Sequence, residues 1–239
     1  MIAAFLLGLG LIRPQASYTT RCRASVVASE AMSELLPALP QTLADSLRER
    51  GLEMATPIQA AAIPRANAGE SLLIHSETGS GKTLAFLLPA LSRATAGADG
   101  VVLILSPTRE LCVQLADEAR LLLQAGWPEA SPQAVTLVAQ GYRPSPAALA
   151  SSRVVIGTPA ELLDMIASGG SGGGGGGRLD EVKARVEGTD EEEASTAGRF
   201  AETLGRSVST LVLDEVDALV PGKKEFRGKR HGKWMDIAR

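Results

Sequence analysis

Two short stretches hold side chains whose types and spacing suit phosphate chemistry. The first is 72-LLIHSETGSGKTLAFLLP-89, an apolar run, a turn of small residues, and a second apolar run. A small-residue turn after a strand lets backbone N–H groups converge on phosphate oxygens, and the helix that follows adds its positive end. Gly79, Ser80 and Gly81 supply the turn. Lys82 then reaches the β- and γ-phosphates, and the Thr83 hydroxyl is placed to ligate magnesium. The strict pattern G-x-x-x-x-G-K-[ST] asks for glycine where Ser76 stands. That position needs a small residue more than it needs glycine, and serine is small. The second stretch is 210-TLVLDEVDAL-219, an apolar run closed by two carboxylates. A phosphate-binding loop requires an acidic magnesium partner at the end of a neighbouring strand. Asp214 fits that role, and Glu215 can orient and deprotonate an attacking water.

Positioning these groups is the work of an alternating chain. Candidate strands are 72-LLIH-75, 101-VVLIL-105, 135-VTLVA-139, 153-RVVIG-157 and 210-TLVLD-214. Helical patterns fall at 42–51, 82–94, 109–126, 145–151 and 160–168, with Gly51 as a C-cap. Continuous apolar strands separated by helices predict an α/β domain whose parallel sheet is covered on both faces. In such sheets ligands bind beyond the carboxyl ends of the strands, so the residues just after each strand are the ones to inspect.

The bulk numbers fit an ordinary globular domain. Of 239 residues, 45% are hydrophobic and 21% charged, and the net charge of −3 advertises no polyanion partner. Cys22 and Cys112, with His75 and His231, give neither a disulfide framework nor a metal-ligand spacing. Residues 1–31 carry no acid before Glu30 and scatter Arg13, Arg21 and Arg23 among Ser, Thr and Ala. That composition predicts an organellar (plastid or mitochondrial) targeting leader or a disordered one, with cytoplasm or nucleus as the alternative. No later segment is long and apolar enough to span a membrane. Residues 168–207 begin Gly-rich and pass into Asp190-Glu191-Glu192-Glu193, which predicts a flexible insertion. The tail 222–239 is basic, with one Trp, and reads as a solvated end or a contact for a nucleic-acid backbone.

Asp214-Glu215-Val216-Asp217 resembles the D-E-A-D motif of the DEAD-box RNA helicases. Ser76-Glu77-Thr78-Gly79-Ser80-Gly81-Lys82-Thr83 is similar to that family's A-x-T-G-S-G-K-T loop, with serine where alanine is usual. The stretch 51-GLEMATPIQ-59 resembles its adenine-reading Q motif, which assigns Gln59 and Thr56 to the nucleotide. The Gln59 amide can pair with N6 and N7 of adenine and not with guanine, so ATP is expected over GTP. The stretch 106-SPTRELCVQ-114 resembles the P-T-R-E-L motif, which carries RNA contacts onto Thr108 and Arg109. In 157-GTPAELLD-164, Thr158 and Pro159 match G-T-P-G-R, whereas Ala160 and Glu161 replace its Gly and Arg. Gly141 stands where the family has paired glycines. No Phe occurs between Phe5 and Phe86, so the family's adenine-stacking Phe has no counterpart.

The resemblance implies a three-layer P-loop NTPase (RecA-like) domain over residues 32–221, interrupted at 168–207, using ATP and Mg2+. Lys82, Asp214, Glu215 and Asp217 carry catalysis in this reading. Thr56, Gln59, Ser76, Thr78, Gly79, Ser80, Gly81, Lys82 and Thr83 hold the nucleotide. Thr83 and Asp214 hold the metal, and Thr108, Arg109, Gly141, Thr158 and Pro159 face RNA. The family's S-A-T motif and second RecA-like domain have no counterpart here, so the domain is expected to be incomplete. These residues alone are then expected to bind ATP weakly and hydrolyse it very slowly. The alternative is an ATP- and RNA-binding adaptor that unwinds nothing.

Overall fold

A computed structural model describes residues 20–22, 30–35, 40–96, 100–129, 134–142, 144, 148, 152–167 and 208–219. The predicted insertion, the basic tail and most of the leader lie outside the described residues, as does nearly all of the helix expected over 145–151.

Four strands form a parallel sheet in the order β4-β5-β3-β6: Val135–Val138 (β4), Val154–Gly157 (β5), Val101–Leu105 (β3) and Val208–Leu213 (β6). Their continuous Val, Ile and Leu runs place apolar side chains on both faces, as a sheet covered twice requires. Val102 and Ile104 join the larger core cluster with Val154 and Ile156. Leu103 and Leu105 face the other way and pack with Val155, Leu162 and Met165. β3, β4 and β5 are buried along nearly their whole length, whereas β6 is only half-buried.

The loop strand stands apart. Leu72–Ile74 (β2) pairs in parallel with Thr20–Cys22 (β1), a short strand from within the expected leader, in register Thr20↔Leu72 to Cys22↔Ile74. Leu72 and Ile74 also pack against Ile58, Ala62 and Ala85, which come from the helices Pro57–Asn67 (α3) and Lys82–Thr95 (α4). Two helices precede α3, Met32–Leu35 (α1) and Gln41–Glu49 (α2). The long helix Arg109–Gly126 (α5) matches its predicted span and buries Cys112, Leu115, Ala116, Ala119, Leu122 and Leu123 on one face. Pro159–Ala167 (α6) follows β5, and the single turn Val216–Leu219 (α7) follows β6. No helix among the described residues is long and apolar enough to cross a membrane.

Helix α3 is absent from the helical patterns read in the sequence. Thr56 is its N-cap, Pro57 occupies N1, where its missing N–H costs nothing, and Gln59 is N3. A helix N-terminus therefore holds the amide that the sequence assigned to adenine.

Candidate nucleotide site and neighbouring strand ends

Every predicted site residue that follows a strand emerges at a carboxyl end: Ser76–Gly81 after β2, Thr108 after β3, Gly141 after β4, Thr158 after β5 and Asp214 after β6. The loop after β2 is shaped by two left-handed residues, Gly79 at φ +77° and Gly81 at φ +92°. An L side chain resists that region, which is why glycine stands at both positions. The Ser76 and Ser80 hydroxyls meet at 2.7 Å and close the loop from side to side. Serine at position 76 is therefore a cross-brace as well as a small residue. Lys82 curls over this loop, and its Nζ donates to the carbonyls of Ser76 at 2.7 Å and Glu77 at 2.6 Å. An ammonium has three donors, so one N–H stays available for a phosphate oxygen. Thr83 and Thr78 are exposed on the same turn.

Gln59 locks the helix start to the loop. Its Oε1 accepts from the Thr56 N–H at 2.8 Å, and its Nε2 donates to the Gly81 carbonyl at 3.1 Å. The side chain is nearly sealed, since Gln59 is 2% exposed. These two bonds leave one lone pair and one N–H of the amide unused. Thr56 Oγ1 is buried beside Gly81 and faces the Gln59 N–H in a capping box whose other half is the bond from the Thr56 N–H to Gln59 Oε1.

The acidic side of the site is built across β3 and β6. The register sets Leu105 against Leu213, and the Asp214 N–H donates to the Leu105 carbonyl at 2.9 Å. This brings Asp214 beside Ser106, which is fully buried and whose Oγ donates to Asp214 Oδ2 at 3.4 Å. Burial raises the Asp214 carboxyl above its ordinary value, opposed by the Ser106 hydroxyl, the Glu215 N–H and the Lys82 ammonium. Lys82 and Asp214 thus feel each other, although their strands lie in separate sheets. Beneath them the Cys112 thiol donates to the Ser106 carbonyl at 3.8 Å and is pushed up by burial to about 11. It stays protonated and inert. Glu215 sits at φ +48°, the one non-glycine residue with positive φ among the described residues. Strain of this kind costs on the order of 1–3 kcal/mol and gathers at functional turns. Glu215 and Asp217 are both exposed there.

The oxygen set of Thr83 and Asp214 suits a hard cation such as magnesium. The glycine turn, Lys82 and Gln59 suit a nucleotide triphosphate. The residues present fit both groups.

A second group of predicted residues lies at the ends of β3, β4 and β5. Thr108 is the N-cap of α5, its Oγ1 accepting from the Leu111 N–H at 3.3 Å. Arg109 is exposed and stands over the Tyr142 ring, 5.5 Å from its centroid. Gly141 turns at φ +83°. Thr158 is half-buried, and its N–H donates to the Val138 carbonyl at 3.1 Å. Pro159 is buried at the first turn of α6, so it starts a helix rather than presenting a ligand group. Sequence reasoning missed Ser106 and Tyr142. Ser106 had a signal, a polar residue directly after an apolar strand, but its partner is 108 residues away.

A family model described as DEAD/DEAH box helicase matches residues 56–229. A mouse protein named probable ATP-dependent RNA helicase DDX59 is 40% identical over 132 residues, covering 53% of this chain and 20% of that protein. The Arabidopsis thaliana DEAD-box ATP-dependent RNA helicase 41 is 37% identical over 141 residues, covering 54% of this chain and 27% of its own. The matched stretch thus spans roughly a fifth to a quarter of these relatives' lengths. Among solved structures, a DEAD box protein from the hyperthermophile Methanococcus jannaschii aligns with a TM-score of 0.52 at 24% identity, over 78% of this chain and 50% of that one. Mss116p bound to ssRNA and AMP-PNP aligns with a TM-score of 0.54 at 18% identity, over 82% of this chain and 42% of that one. Identities this low show a shared fold.

Proposed function

Because this chain belongs to the DEAD/DEAH box helicase family, we propose that it is the ATP-binding RecA-like unit of an ATP-dependent RNA helicase. The observation that supports this most is the meeting of two separate helix starts on one loop. Lys82 from the start of α4 and Gln59 from the start of α3 both hydrogen-bond the same glycine loop, and the Asp214 carboxylate at the end of β6 feels the Lys82 charge.

In this reading the backbone N–H groups of the Gly79–Thr83 turn and the free N–H of Lys82 bind the phosphates. The Gln59 amide selects adenine by its remaining donor and acceptor. Thr83 and Asp214 would hold magnesium, directly or through water, and the metal when bound offsets the charge of the phosphates. Ser106 keeps one Asp214 oxygen engaged and so fixes the rotation of that carboxylate. Glu215, held at its strained turn, orients and deprotonates the attacking water. Asp217 couples the nucleotide to the rest of the machinery. RNA lies across Thr108, Arg109, Gly141 and Thr158, chiefly by its sugar–phosphate backbone, so with little sequence preference.

One departure favours the adaptor as a second reading. Glu161, half-buried in the first turn of α6, puts an acid where the family has a phosphate-gripping arginine. The test is linkage between the two ligands. Single-stranded RNA affinity is measured with and without a non-hydrolysable ATP analogue, alongside strand separation of a short duplex. A helicase unit binds RNA more tightly with the analogue and, in the full-length protein, separates the duplex. RNA binding indifferent to the analogue refutes the reading, and linkage without strand separation moves it to the adaptor.

A further inference from the structure

We propose that Tyr142 is a stacking platform for one unpaired RNA base, at the strand-end surface where the proposed function lays RNA. Three aromatic residues fall among the described ones: Phe86, Trp127 and Tyr142. Phe86 and Trp127 pack against the larger core cluster. Tyr142 belongs to no core cluster and is 44% exposed. Its ring is therefore the one aromatic surface among the described residues that is left outside the core, at a strand end.

The backbone around it is fixed. The Tyr142 N–H donates to the Ala139 carbonyl at 2.7 Å, and the Ala139 N–H returns a bond to the Tyr142 carbonyl at 3.2 Å. Gly141, at φ +83°, makes this closure possible, and apart from its two chain neighbours no atom lies within 4 Å of where a Cβ would sit. The guanidinium of Arg109 lies 5.5 Å from the ring centroid and steadies its orientation. Arg109 itself starts α5 directly after the Thr108 cap, so ring and cation are carried by two rigid strand ends, those of β4 and β3.

A held aromatic ring beside a cation at the edge of a backbone-binding surface is the pattern that single-stranded nucleic acids use. The cation serves the phosphate and the ring takes the face of a base. Every base has such a face, so the contact adds affinity without a sequence code. In a strand just long enough to cross the surface, the ring takes the one base that falls beside it.

The inference rests on the RNA-binding reading above, and the experiment separates the two. Single-stranded RNAs carrying one 2-aminopurine at successive positions are titrated with the 239-residue chain, with Tyr142→Ala and with Tyr142→Phe. A matching set carries an abasic ribose instead. The wild type and Tyr142→Phe are expected to quench 2-aminopurine at one position. Tyr142→Ala should lose that quench and weaken binding about 5- to 150-fold, the span of one base on one ring. The abasic RNA should weaken the wild type by a similar factor and leave Tyr142→Ala unaffected. ATP binding should be the same in all three proteins, since Tyr142 lies outside the nucleotide site. Equal affinity and quench in wild type and Tyr142→Ala overturns this inference alone. A wild-type chain that binds no single-stranded RNA overturns the RNA reading and this inference with it.

Discussion

Replacing Gly81 by alanine should damage the nucleotide site and the fold together, and the structure sets the size of the effect. A Cβ on Gly81 would lie 2.5 Å from Gln59 Nε2, 3.1 Å from Thr56 Oγ1 and 3.2 Å from Gln59 Cδ. Nε2 ends a flexible side chain and in open space would swing aside at little expense. Here the amide is 2% exposed and tied at both ends, to the Thr56 N–H and the Gly81 carbonyl. Moving it breaks at least one buried hydrogen bond, about 1–3 kcal/mol where the partner goes unsatisfied. The backbone adds about 1–2 kcal/mol, because φ +92° is left-handed and alanine resists it. Gly81→Ala should therefore lose about 2–5 kcal/mol in urea unfolding, a sizeable part of a typical domain's stability. A double-mutant cycle with Gln59→Ala isolates the collision. Removing the amide relieves the clash and leaves the backbone strain, so the double variant should be more stable than the two single losses predict by about 1–3 kcal/mol. Additive losses, or a Gly81→Ala chain as stable as the wild type, would refute the coupling of α3 to the loop.

Four further outcomes follow from the same geometry. Gly157→Ala should lose about 1–3 kcal/mol in urea unfolding, because its Cβ would sit 2.5 Å from the Val138 carbonyl oxygen and wedge β4 from β5. Asp214→Asn should raise stability at neutral pH while weakening nucleotide binding. Burial lifts the folded-state carboxyl above its unfolded value, so the ionised wild type is penalised above the raised pKa. Thermal melts across pH should show that gain vanish as acid protonates the wild-type carboxyl in both states. Ser76→Ala should cost about 1 kcal/mol in the melt, the worth of the Ser76–Ser80 bond, with ATP affinity reduced severalfold. Glu161→Arg should tighten single-stranded RNA binding and steepen its salt dependence by close to one phosphate contact. A salt slope that does not move would remove Glu161 from the RNA surface.

Much of this arrangement was legible in the residues. Helix α5 could be read to its ends, because Thr108 caps it, its apolar residues recur at helical spacing, and Gly126 closes it. The strands could be read because Val, Ile and Leu run without interruption, and their carboxyl ends located the site. Helix α3 was legible only at its start, where Thr56 and Gln59 stand at capping-box spacing around Pro57; the alanines that follow lack a polar face, and Pro64 interrupts the pattern. Its helical state comes from burying Ile58, Ala62 and Ile63, a tertiary effect that local propensity does not carry. Strand β1 is three residues in polar text and owes its form to pairing with β2. Ser106 was invisible as a partner of Asp214 because β3 and β6 are neighbours only through the sheet order. The Arg109–Tyr142 contact likewise needs β3 and β4 held on either side of β5.

In the proposed function the glycine loop, Lys82 and Gln59 form an ATP site that works with magnesium. The most direct measurement is binding of a fluorescent ATP analogue to this chain with magnesium present, displaced by unlabelled ATP or GTP and repeated with Lys82→Ala and Gln59→Ala. The account predicts weak binding that ATP displaces and GTP does not. Lys82→Ala should abolish it, and Gln59→Ala should leave binding that no longer tells ATP from GTP. Equal displacement by the two nucleotides in the wild type, or binding indifferent to Lys82, would contradict it.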